Sequence, residues 1–189
     1  MNRTAAPGRV RIIGGQWRRR WLTLPANSAV RPSTDRVRET LFNWLAPYLS
    51  GAYCLDLFAG TGALGLEAVS RGAARAVLVE SEPRAVHQLR INVAALNTDQ
   101  VEIIENDARL FVAASPERRF DLIFLDPPFD SDLLATVLPP IAACWLAPSA
   151  HLYIELPRSR SGVALPDGWR IMRADETRQT RYYLVSTGA

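Results

Sequence analysis

The sequence predicts an α/β fold: a doubly wound, seven-stranded and mostly parallel sheet with a small N-terminal β-hairpin and helix extension. Three observations predict it. From residue 53 onward, short apolar runs alternate with helical patterns, as expected for parallel strands covered by helices on both faces. A glycine-rich segment follows the first of these runs. Two further runs near the C-terminus have no clear helix between them, which predicts an antiparallel pair at one end of the sheet.

The N-terminal extension is predicted from residues 9–48. Residues 9–24 form two β-like runs around Gly14 and Gly15, which predicts a hairpin. Residues 31–35 (Arg-Pro-Ser-Thr-Asp) supply turn and cap chemistry for a helix that follows. The apolar face of that helix consists of Val37, Leu41, Trp44, Leu45 and Tyr48.

The remaining elements follow in chain order. Core strands are predicted over residues 53–58, 76–80, 101–105, 121–125 and 151–156. Helices are predicted over residues 63–70, 83–96, 108–114 and 133–145. The terminal antiparallel pair is predicted over residues 169–173 and 180–186.

The chain length, 189 residues, fits one core with a modest appendage. We expect an N-terminal hairpin and helix over residues 1–50 and the core over residues 51–189. The first residues lack the apolar segment of a secretory signal, and no stretch approaches the ~20 apolar residues of a membrane span. Cys54 and Cys144 each lie among apolar neighbours, which predicts buried, reduced thiols. These features predict a cytoplasmic protein.

Charge is divided unevenly along the chain. Residues 1–38 contain nine arginines and one acidic residue, a charge of +8, whereas the rest of the chain carries −5. A basic end on an acidic body favours a polyanionic partner such as RNA, although a solvated tail is the alternative. Trp17 and Trp21 flank a run of three arginines and are candidates to contact RNA; the other tryptophans are expected in the core.

The glycine-rich segment is the first candidate site. Gly60, Gly62 and Gly65 have the spacing G-x-G-x-x-G, which lets the backbone approach a ligand at a helix N-terminus. That spacing alone is compatible with S-adenosylmethionine (SAM), with a dinucleotide or with a structural turn. Asp56 favours SAM, because a carboxylate is unfavourable beside a pyrophosphate but attracts an ammonium and a sulfonium. The alternative is that Asp56 only caps the loop.

Two further acids follow the next two strands. Glu80 lies about 20 residues past the glycine segment, where an acid accepts hydrogen bonds from ribose hydroxyls, in SAM or in a dinucleotide. Asp107 could accept a hydrogen bond from an adenine amino group or simply cap a helix. Glu82 is expected to stabilise the next helix N-terminus. The candidate cofactor-binding residues are Asp56, Phe58, Gly60, Gly62, Gly65, Glu80, Ser81, Asp107 and Ala108.

The segment Asp126-Pro127-Pro128-Phe129 ends the fourth core strand and carries the candidate catalytic residues. An exocyclic base amine is a poor nucleophile, since its lone pair is delocalised into the ring. Asp126 and the Pro127 carbonyl can accept its two hydrogens, direct the lone pair at a methyl group and stabilise developing positive charge. Pro127 and Pro128 stiffen the loop, and Phe129 offers a face on which a flipped base can stack. The sequence therefore predicts amino-group methylation of a base.

These motifs resemble those of the Rossmann-like class I methyltransferases that use an (Asn/Asp/Ser)-Pro-Pro-(Tyr/Phe/Trp) segment for N-methylation. More narrowly, from about residue 9 to residue 184 the chain is similar to the bacterial 16S rRNA guanine-N2 methyltransferase family, RsmD. The segments that carry the resemblance are residues 11–15, 31–43, 56–68 and 126–129.

The resemblance implies transfer of one methyl group from SAM, with S-adenosylhomocysteine as product, to a guanine N2 of 16S rRNA during small-subunit assembly. It implies that the Asp56 loop holds the methionine end of SAM, with Glu80 at the ribose and Asp107 and Ser81 at the adenine. We expect a monomer that binds 16S rRNA within an assembling 30S subunit. The candidate RNA-binding residues are Arg11, Arg18, Arg19, Arg20, Arg31, Arg36 and Arg38.

Three alternatives remain open on the sequence. A DNA adenine-N6 or cytosine-N4 methyltransferase would need a target-recognition segment, for which little chain lies outside the core. A dinucleotide oxidoreductase would not need the segment from Asp126 to Phe129. A non-catalytic RNA-binding assembly factor would not need intact motifs. His87 and His151 receive no role, and no Cys/His grouping has the spacing of metal ligands, so no metal site is expected.

Overall fold

The computed structural model describes residues 8–24, 34–128, 132–160 and 162–188. Its N-terminal part contains strands β1 (Arg9–Arg11) and β2 (Trp21–Thr23) and helix α1 (Asp35–Leu49). Strand β3 (Tyr53–Asp56), helix α2 (Ala63–Ser70), strand β4 (Arg75–Glu80) and helix α3 (Pro83–Leu96) follow. Strand β5 (Val101–Glu105), helix α4 (Ala108–Ala113), strand β6 (Phe120–Leu125) and helix α5 (Leu133–Pro140) come next. The last elements are a π-helical segment (Ile141–Trp145) and strands β7 (Leu146–Pro157), β8 (Arg170–Glu176) and β9 (Thr180–Ser186).

The predicted fold class is confirmed. Seven strands form one sheet in the order β5-β4-β3-β6-β7-β9-β8, in which the first five are parallel. Strand β9 runs antiparallel to both β7 and β8, so the predicted terminal pair is present. Strands β1 and β2 form a separate antiparallel pair. Within the described residues, no helix is both long enough and apolar enough to cross a membrane.

Two hydrophobic clusters cover the two faces of the sheet. The first packs the hairpin and helices α1 to α3 against the sheet and includes Leu22, Leu41 and Leu66. The second packs α4, α5 and the π-helical segment against the other face and includes Val112 and Val137. This division is that of a doubly wound sheet, in which helices bury both faces.

The predicted helix over residues 133–145 is wrong in its second half. Proline has no amide hydrogen and disrupts the helical ladder of the preceding turn. Pro139 and Pro140 end α5, and residues 141–145 continue as a π-helical segment. Strand β7 then starts at Leu146, five residues before the predicted start, so His151 lies inside the strand, buried and stacked on Tyr48 at 3.8 Å between ring centroids. Cys54 is buried as predicted, but Cys144 is only half-buried.

Hydrogen bonds and close packing attach the backbone of the hairpin to helix α2. The two carboxylate oxygens of the buried Glu67 accept hydrogen bonds from the amides of Ile13 and Gly14, each at 2.7 Å. Gly15 has φ of 75°, and a Cβ at this position would lie 1.7 Å from the Ser70 carbonyl oxygen. The glycine pair therefore lets the segment between β1 and β2 approach the C-terminal end of α2.

Candidate cofactor and substrate site

The candidate site lies at the carboxyl edge of the parallel sheet, the usual place for ligands in open α/β folds. Strand register places Asp56 of β3 opposite Leu78 of β4 and Phe124 of β6. Glu80 and Asp126 each lie two residues beyond those partners. These three of the acids predicted from the sequence are therefore brought to one edge, across three adjacent strands.

The glycine loop between β3 and α2 is built on positive-φ backbone. Gly60 and Gly62 have φ of 51° and 78°, a region that favours glycine. A Cβ on Gly62 would lie 2.5 Å from a methyl carbon of Leu89, and one on Gly65 would lie 2.2 Å from a methyl carbon of Leu78. The three glycines thus allow the loop both its conformation and its close packing on α3 and β4.

Asp56 lies beneath this loop with its side chain buried, and it accepts a hydrogen bond from the Gly65 amide at 3.0 Å. Burial raises the pKa of Asp56 to about 7. The backbone hydrogen bonds from Gly65 and Phe58 lower that pKa, while the charge of Glu80 raises it. The carboxyl group therefore fastens the loop to the N-terminus of α2, and it changes charge near neutral pH.

Glu80 holds the other side of the loop. Its Oε2 accepts a hydrogen bond from the Gly60 amide, and its Oε1 accepts from the amides of Ser81 and Glu82, each at 2.8 Å. The residue is half-buried, so part of it faces solvent at the carboxyl edge. Glu82 caps α3 by accepting from the Ala85 amide at 2.6 Å, as expected for an acid at a helix N-terminus.

Asp107 caps helix α4, and its side chain is also engaged by Arg109. Its Oδ1 accepts from the Arg109 amide at 2.8 Å, and the Arg109 guanidinium donates to both carboxylate oxygens. The side-chain hydrogen bond from Arg109 is the main cause that lowers the pKa of Asp107 to about 2. Next to it, Ala108 is buried, while Ser81 across the edge is exposed. Sequence reasoning missed Arg109, since a basic residue two positions after a cap has no distinctive spacing.

The segment after β6 carries the candidate catalytic residues. Asp126 is half-buried, Pro127 is buried and Pro128 is exposed. Phe129, the predicted stacking residue, lies outside the described residues.

Several polar residues that sequence reasoning missed lie on strands β7, β9 and β8, of which β7 is the neighbour of β6 in the sheet. Buried Glu155 accepts a hydrogen bond from the buried Tyr153 hydroxyl at 2.5 Å. The Tyr182 hydroxyl donates to Asp175 at 2.8 Å. No single-sequence signal could have identified this group, because it depends on the order in which β6, β7, β9 and β8 pair.

The predicted RNA-binding arginines fall into different places. Arg11 forms an ion pair with Asp35 at 3.1 Å, with about half of each side chain exposed. Arg36 is exposed at the start of α1, and its charge acts on the Tyr182–Asp175 pair. The Glu176 backbone hydrogen bond is the main cause that lowers the pKa of Asp175, whereas burial is the main cause that raises the pKa of Tyr182 to about 12; the Arg36 charge makes a smaller, lowering contribution to both. Arg31 lies outside the described residues.

The prediction that Arg38 contacts RNA is wrong, because its side chain is buried. Its side chain is completely buried and donates hydrogen bonds to the Arg11 carbonyl at 2.8 Å and to Asp35 at 2.6 Å. Its Nη1 lies 4.0 Å from the Glu67 carboxylate. Arg38 joins α1 to the hairpin and to α2 and has no surface to offer a nucleic acid.

The arginine run Arg18–Arg20 is exposed but distant from the carboxyl edge. Arg20 reaches the carbonyl of Ala95, near the C-terminal end of α3, at 3.5 Å. Helix α3 starts beside Glu80, and 14 residues span about 21 Å. The run therefore lies near the opposite edge of the sheet. Trp17 is buried and Trp21 is 59% exposed, so only Trp21 is accessible to a partner.

Among the described residues, no group of three or more His, Cys, Asp or Glu side chains could hold a metal ion.

Comparison with known proteins gives a consistent result. The family described as Conserved hypothetical protein 95 matches residues 10–186. Ribosomal RNA small subunit methyltransferase D of Escherichia coli is 43% identical, over 96% of this chain and 92% of that protein. The Haemophilus influenzae protein of the same name is 38% identical, over 95% of this chain and 94% of that protein. The solved structure of yhhF from Escherichia coli has a TM-score of 0.89 and 42% identity, covering 96% of this chain and 99% of that one.

The fold, the glycine loop and the acids at the carboxyl edge, taken with these relatives, define a class I methyltransferase. Within that class, the chain belongs to the family described as Conserved hypothetical protein 95, the RsmD family of methyltransferases.

Proposed function

We propose that the protein transfers a methyl group from SAM to the exocyclic N2 amine of a guanine in 16S rRNA, during assembly of the small ribosomal subunit. The observation that carries the proposal is the position of Asp126, Pro127 and Pro128 at the carboxyl edge, next to the glycine loop. The names of the relatives, which are ribosomal RNA small subunit methyltransferases, support rRNA as the substrate.

The residues around the glycine loop fit SAM better than a dinucleotide. Two carboxylates, Asp56 and Glu80, lie against the loop, and both hold loop amides. Their negative charge favours a ligand with an ammonium and a sulfonium, and it is unfavourable beside a pyrophosphate. In this proposal Glu80 accepts hydrogen bonds from the ribose, and Asp107, with Ser81 and Ala108, lies at the adenine.

Bound SAM supplies an activated methyl group on sulfur. In the proposed mechanism Asp126 accepts one hydrogen of the guanine amine and the Pro127 carbonyl accepts the other. These two contacts would fix the direction of the nitrogen lone pair and stabilise its positive charge as the methyl group passes from sulfur to nitrogen, with S-adenosylhomocysteine as the leaving group. Asp126 is then placed to take the proton that the amine loses. Phe129 is proposed to stack on the flipped base.

The N-terminal extension is proposed to bind the RNA around the target. Five of its arginines are exposed: Arg11, Arg18, Arg19, Arg20 and Arg36. Binding of RNA phosphates to such a basic surface is favoured because it releases the counterions condensed on the RNA. Arg31 is proposed to belong to the same surface. We further propose that the enzyme acts as a monomer on an assembling small subunit.

The test is a methyl-transfer assay with radiolabelled SAM and the purified protein. Substrates are 16S rRNA lacking its methyl groups, partly assembled small subunits made from it, and duplex DNA of mixed sequence. We expect label in the RNA or the subunits and background label in DNA. Label mainly in DNA would favour the DNA amino-methyltransferase alternative. Tight RNA binding without any label would indicate a non-catalytic assembly factor.

A further inference from the structure

We propose that Glu155 is a specificity-determining residue that selects guanine by accepting the hydrogen of its ring nitrogen N1, beside the amine held by Asp126. This inference rests on the proposed function, because it assumes that the target base carries its amine to Asp126. It adds a second group that recognises the base. This group lies on strand β7, outside both the glycine loop and the segment after β6.

Strand pairing places Glu155 directly beside Asp126. Strands β6 and β7 are parallel neighbours in which Phe124 pairs with Tyr153 and Leu125 with Ile154. Glu155 is the next residue on β7 and Asp126 the next on β6. Adjacent strands lie ~4.8 Å apart, so the two backbones present their carboxylates side by side at the carboxyl edge.

The side chains also share a face of the sheet. Successive residues of a strand alternate between faces, so Tyr153 and Glu155 point to the same side. Burial is the main cause that raises the pKa of the Tyr153 hydroxyl, and the charges of Glu155 and Asp126 raise it further. Phe124 packs in the same core cluster as Tyr153, so Asp126, two residues after Phe124, is directed to that face as well, which fits a single recognition site.

Glu155 is 5% exposed, and a buried carboxylate is costly unless hydrogen bonds compensate for the lost water. A carboxylate has about four acceptor positions. The Tyr153 hydroxyl occupies one of them, on Oε2, and thereby orients the group. In this proposal the guanine N1 hydrogen supplies a further hydrogen bond to the carboxylate that Tyr153 orients.

The chemistry of the bases distinguishes guanine from the other amine-bearing bases at such a pair of carboxylates. Guanine presents adjacent N–H donors, on N1 and on the N2 amine. Adenine and cytosine present an amine beside a ring nitrogen that bears no hydrogen. That lone pair would face the Glu155 carboxylate, leaving two acceptors opposed and unpaired, which is unfavourable in a buried site. Two neighbouring carboxylates therefore favour guanine.

The test uses RNA substrates whose target nucleotide is either guanosine or 2-aminopurine riboside. 2-Aminopurine keeps the exocyclic amine but has no hydrogen on the adjacent ring nitrogen. For the unmodified enzyme we expect kcat/KM with guanosine to exceed that with 2-aminopurine by at least about 10²-fold, since sites built to hydrogen-bond a group reject analogues that lack it. Equal values for the two substrates would overturn the proposal without any mutation.

The variant Glu155→Gln should reduce this preference at least about tenfold, because its amide can donate to the bare ring nitrogen. SAM affinity measured by calorimetry should stay unchanged. The matched control is Glu105→Gln, an exposed residue at the end of β5 on the far side of the sheet, which should keep the preference. An unchanged preference in a folded, SAM-binding Glu155→Gln protein would overturn the proposal.

Should Glu155→Gln fail to fold, Glu155→Asp keeps the charge but withdraws the carboxylate by one methylene. We expect a lower kcat/KM on guanosine with SAM affinity unchanged, and an unchanged kcat/KM would overturn the proposal. The results that would overturn the role of Glu155 differ from the result that would overturn the proposed function. In that case the unmodified enzyme would transfer no methyl group to the guanosine substrate.

Discussion

The Glu80 carboxylate accepts a hydrogen bond from the Gly60 amide at 2.8 Å, which ties the end of β4 to the glycine loop after β3. The same carboxylate holds the amides of Ser81 and Glu82. Glu80 therefore shapes the loop in addition to any contact with a ribose. This double role separates it from Asp126, which follows β6, two strands away from β4 in the sheet, and belongs to the proposed substrate groups.

The variant Glu80→Ala should weaken SAM binding by roughly 1.5–3 kcal/mol, the range for hydrogen bonds to a charged group. The midpoint of thermal unfolding should also fall, because three backbone amides lose their acceptor. Calorimetric titration with SAM and a melting curve measure the two effects. The control is Glu82→Ala, which removes a helix cap worth about 1 kcal/mol of stability but should leave SAM affinity within about twofold. Equal SAM dissociation constants for Glu80→Ala and the parent would remove Glu80 from the cofactor site.

Asp56 should make stability and SAM binding depend on pH in opposite directions. Its pKa in the folded protein, about 7, lies above the ordinary value of 3.8. The folded state therefore holds the proton more tightly, so stability should fall as pH rises between these values and level off above about 7. SAM affinity should instead rise with pH through about 7, as the carboxylate becomes charged and attracts the ligand cation.

The measurement compares the parent with Asp56→Asn, using denaturant unfolding and SAM titration from pH 5 to pH 8. The variant lacks the titrating group, and the ligand's own titration is the same for both proteins. Relative to the variant, the parent should lose stability from pH 5 up to about pH 7 and lose no more above it, while its SAM affinity should rise through about pH 7. Parallel curves over the whole range would show that Asp56 neither titrates there nor interacts with bound SAM.

Because Gly15 contacts helix α2, its substitution by alanine should destabilise the protein more than the same substitution at Gly51, another glycine with positive φ. Gly15 and Gly51 have φ of 75° and 73°. A Cβ on Gly51 would meet nothing within 4 Å, whereas one on Gly15 would lie 1.7 Å from the Ser70 carbonyl oxygen. Gly51→Ala should cost about 1–2 kcal/mol of unfolding free energy from backbone strain alone. Gly15→Ala should cost more than about 3 kcal/mol, because backbone atoms must move as well. Urea denaturation tests this, and similar losses for both variants would contradict the close packing of the hairpin.

The sequence predicts the parallel core well, because that part depends on local patterns. Helices α2 and α3 and strands β5 and β9 have the predicted bounds. Glu80 ends strand β4, as its distance from the glycine loop predicts. The features that the sequence did not predict correctly depend on tertiary packing. Arg38 looks like one more basic residue of an exposed extension, and only the docking of α1 on the hairpin and α2 explains its burial. Glu155 could not be found either, since its nearness to Asp126 follows from the pairing of β6 with β7.

The arginine run Arg18–Arg20 provides a test of how RNA is held. Replacing all three residues with alanine should weaken RNA binding and flatten the slope of log K against log salt by up to about two units. SAM binding should not change, because the run lies near the far edge of the sheet. RNA affinity at several salt concentrations measures the effect. The double variant Arg170→Ala/Arg173→Ala, which removes two exposed arginines from β8, is the comparison for loss of positive charge elsewhere and should leave the slope nearly unchanged. An unchanged slope in the triple variant would indicate that RNA is bound elsewhere, for example by Arg36 beside the site.

Asp126 should serve methyl transfer and not cofactor retention. Asp126→Ala should reduce the rate of transfer by about 10²-fold or more, the scale for loss of a preorganised transition-state contact, with little change in SAM affinity. Asp99→Ala, an exposed acid before β5, is the control and should keep the rate. Loss of SAM binding in a folded Asp126→Ala protein would contradict the assigned role.

The most direct test of the account is mass spectrometry of nucleosides and of nuclease fragments from 16S rRNA of a strain that lacks this enzyme, before and after treatment with the purified protein and SAM. The account predicts that treatment creates N2-methylguanosine at a single position, and that Asp126→Ala protein creates far less in the same time. A methyl group on a ring nitrogen, on adenine or on cytosine would contradict it, as would rRNA that remains unmethylated.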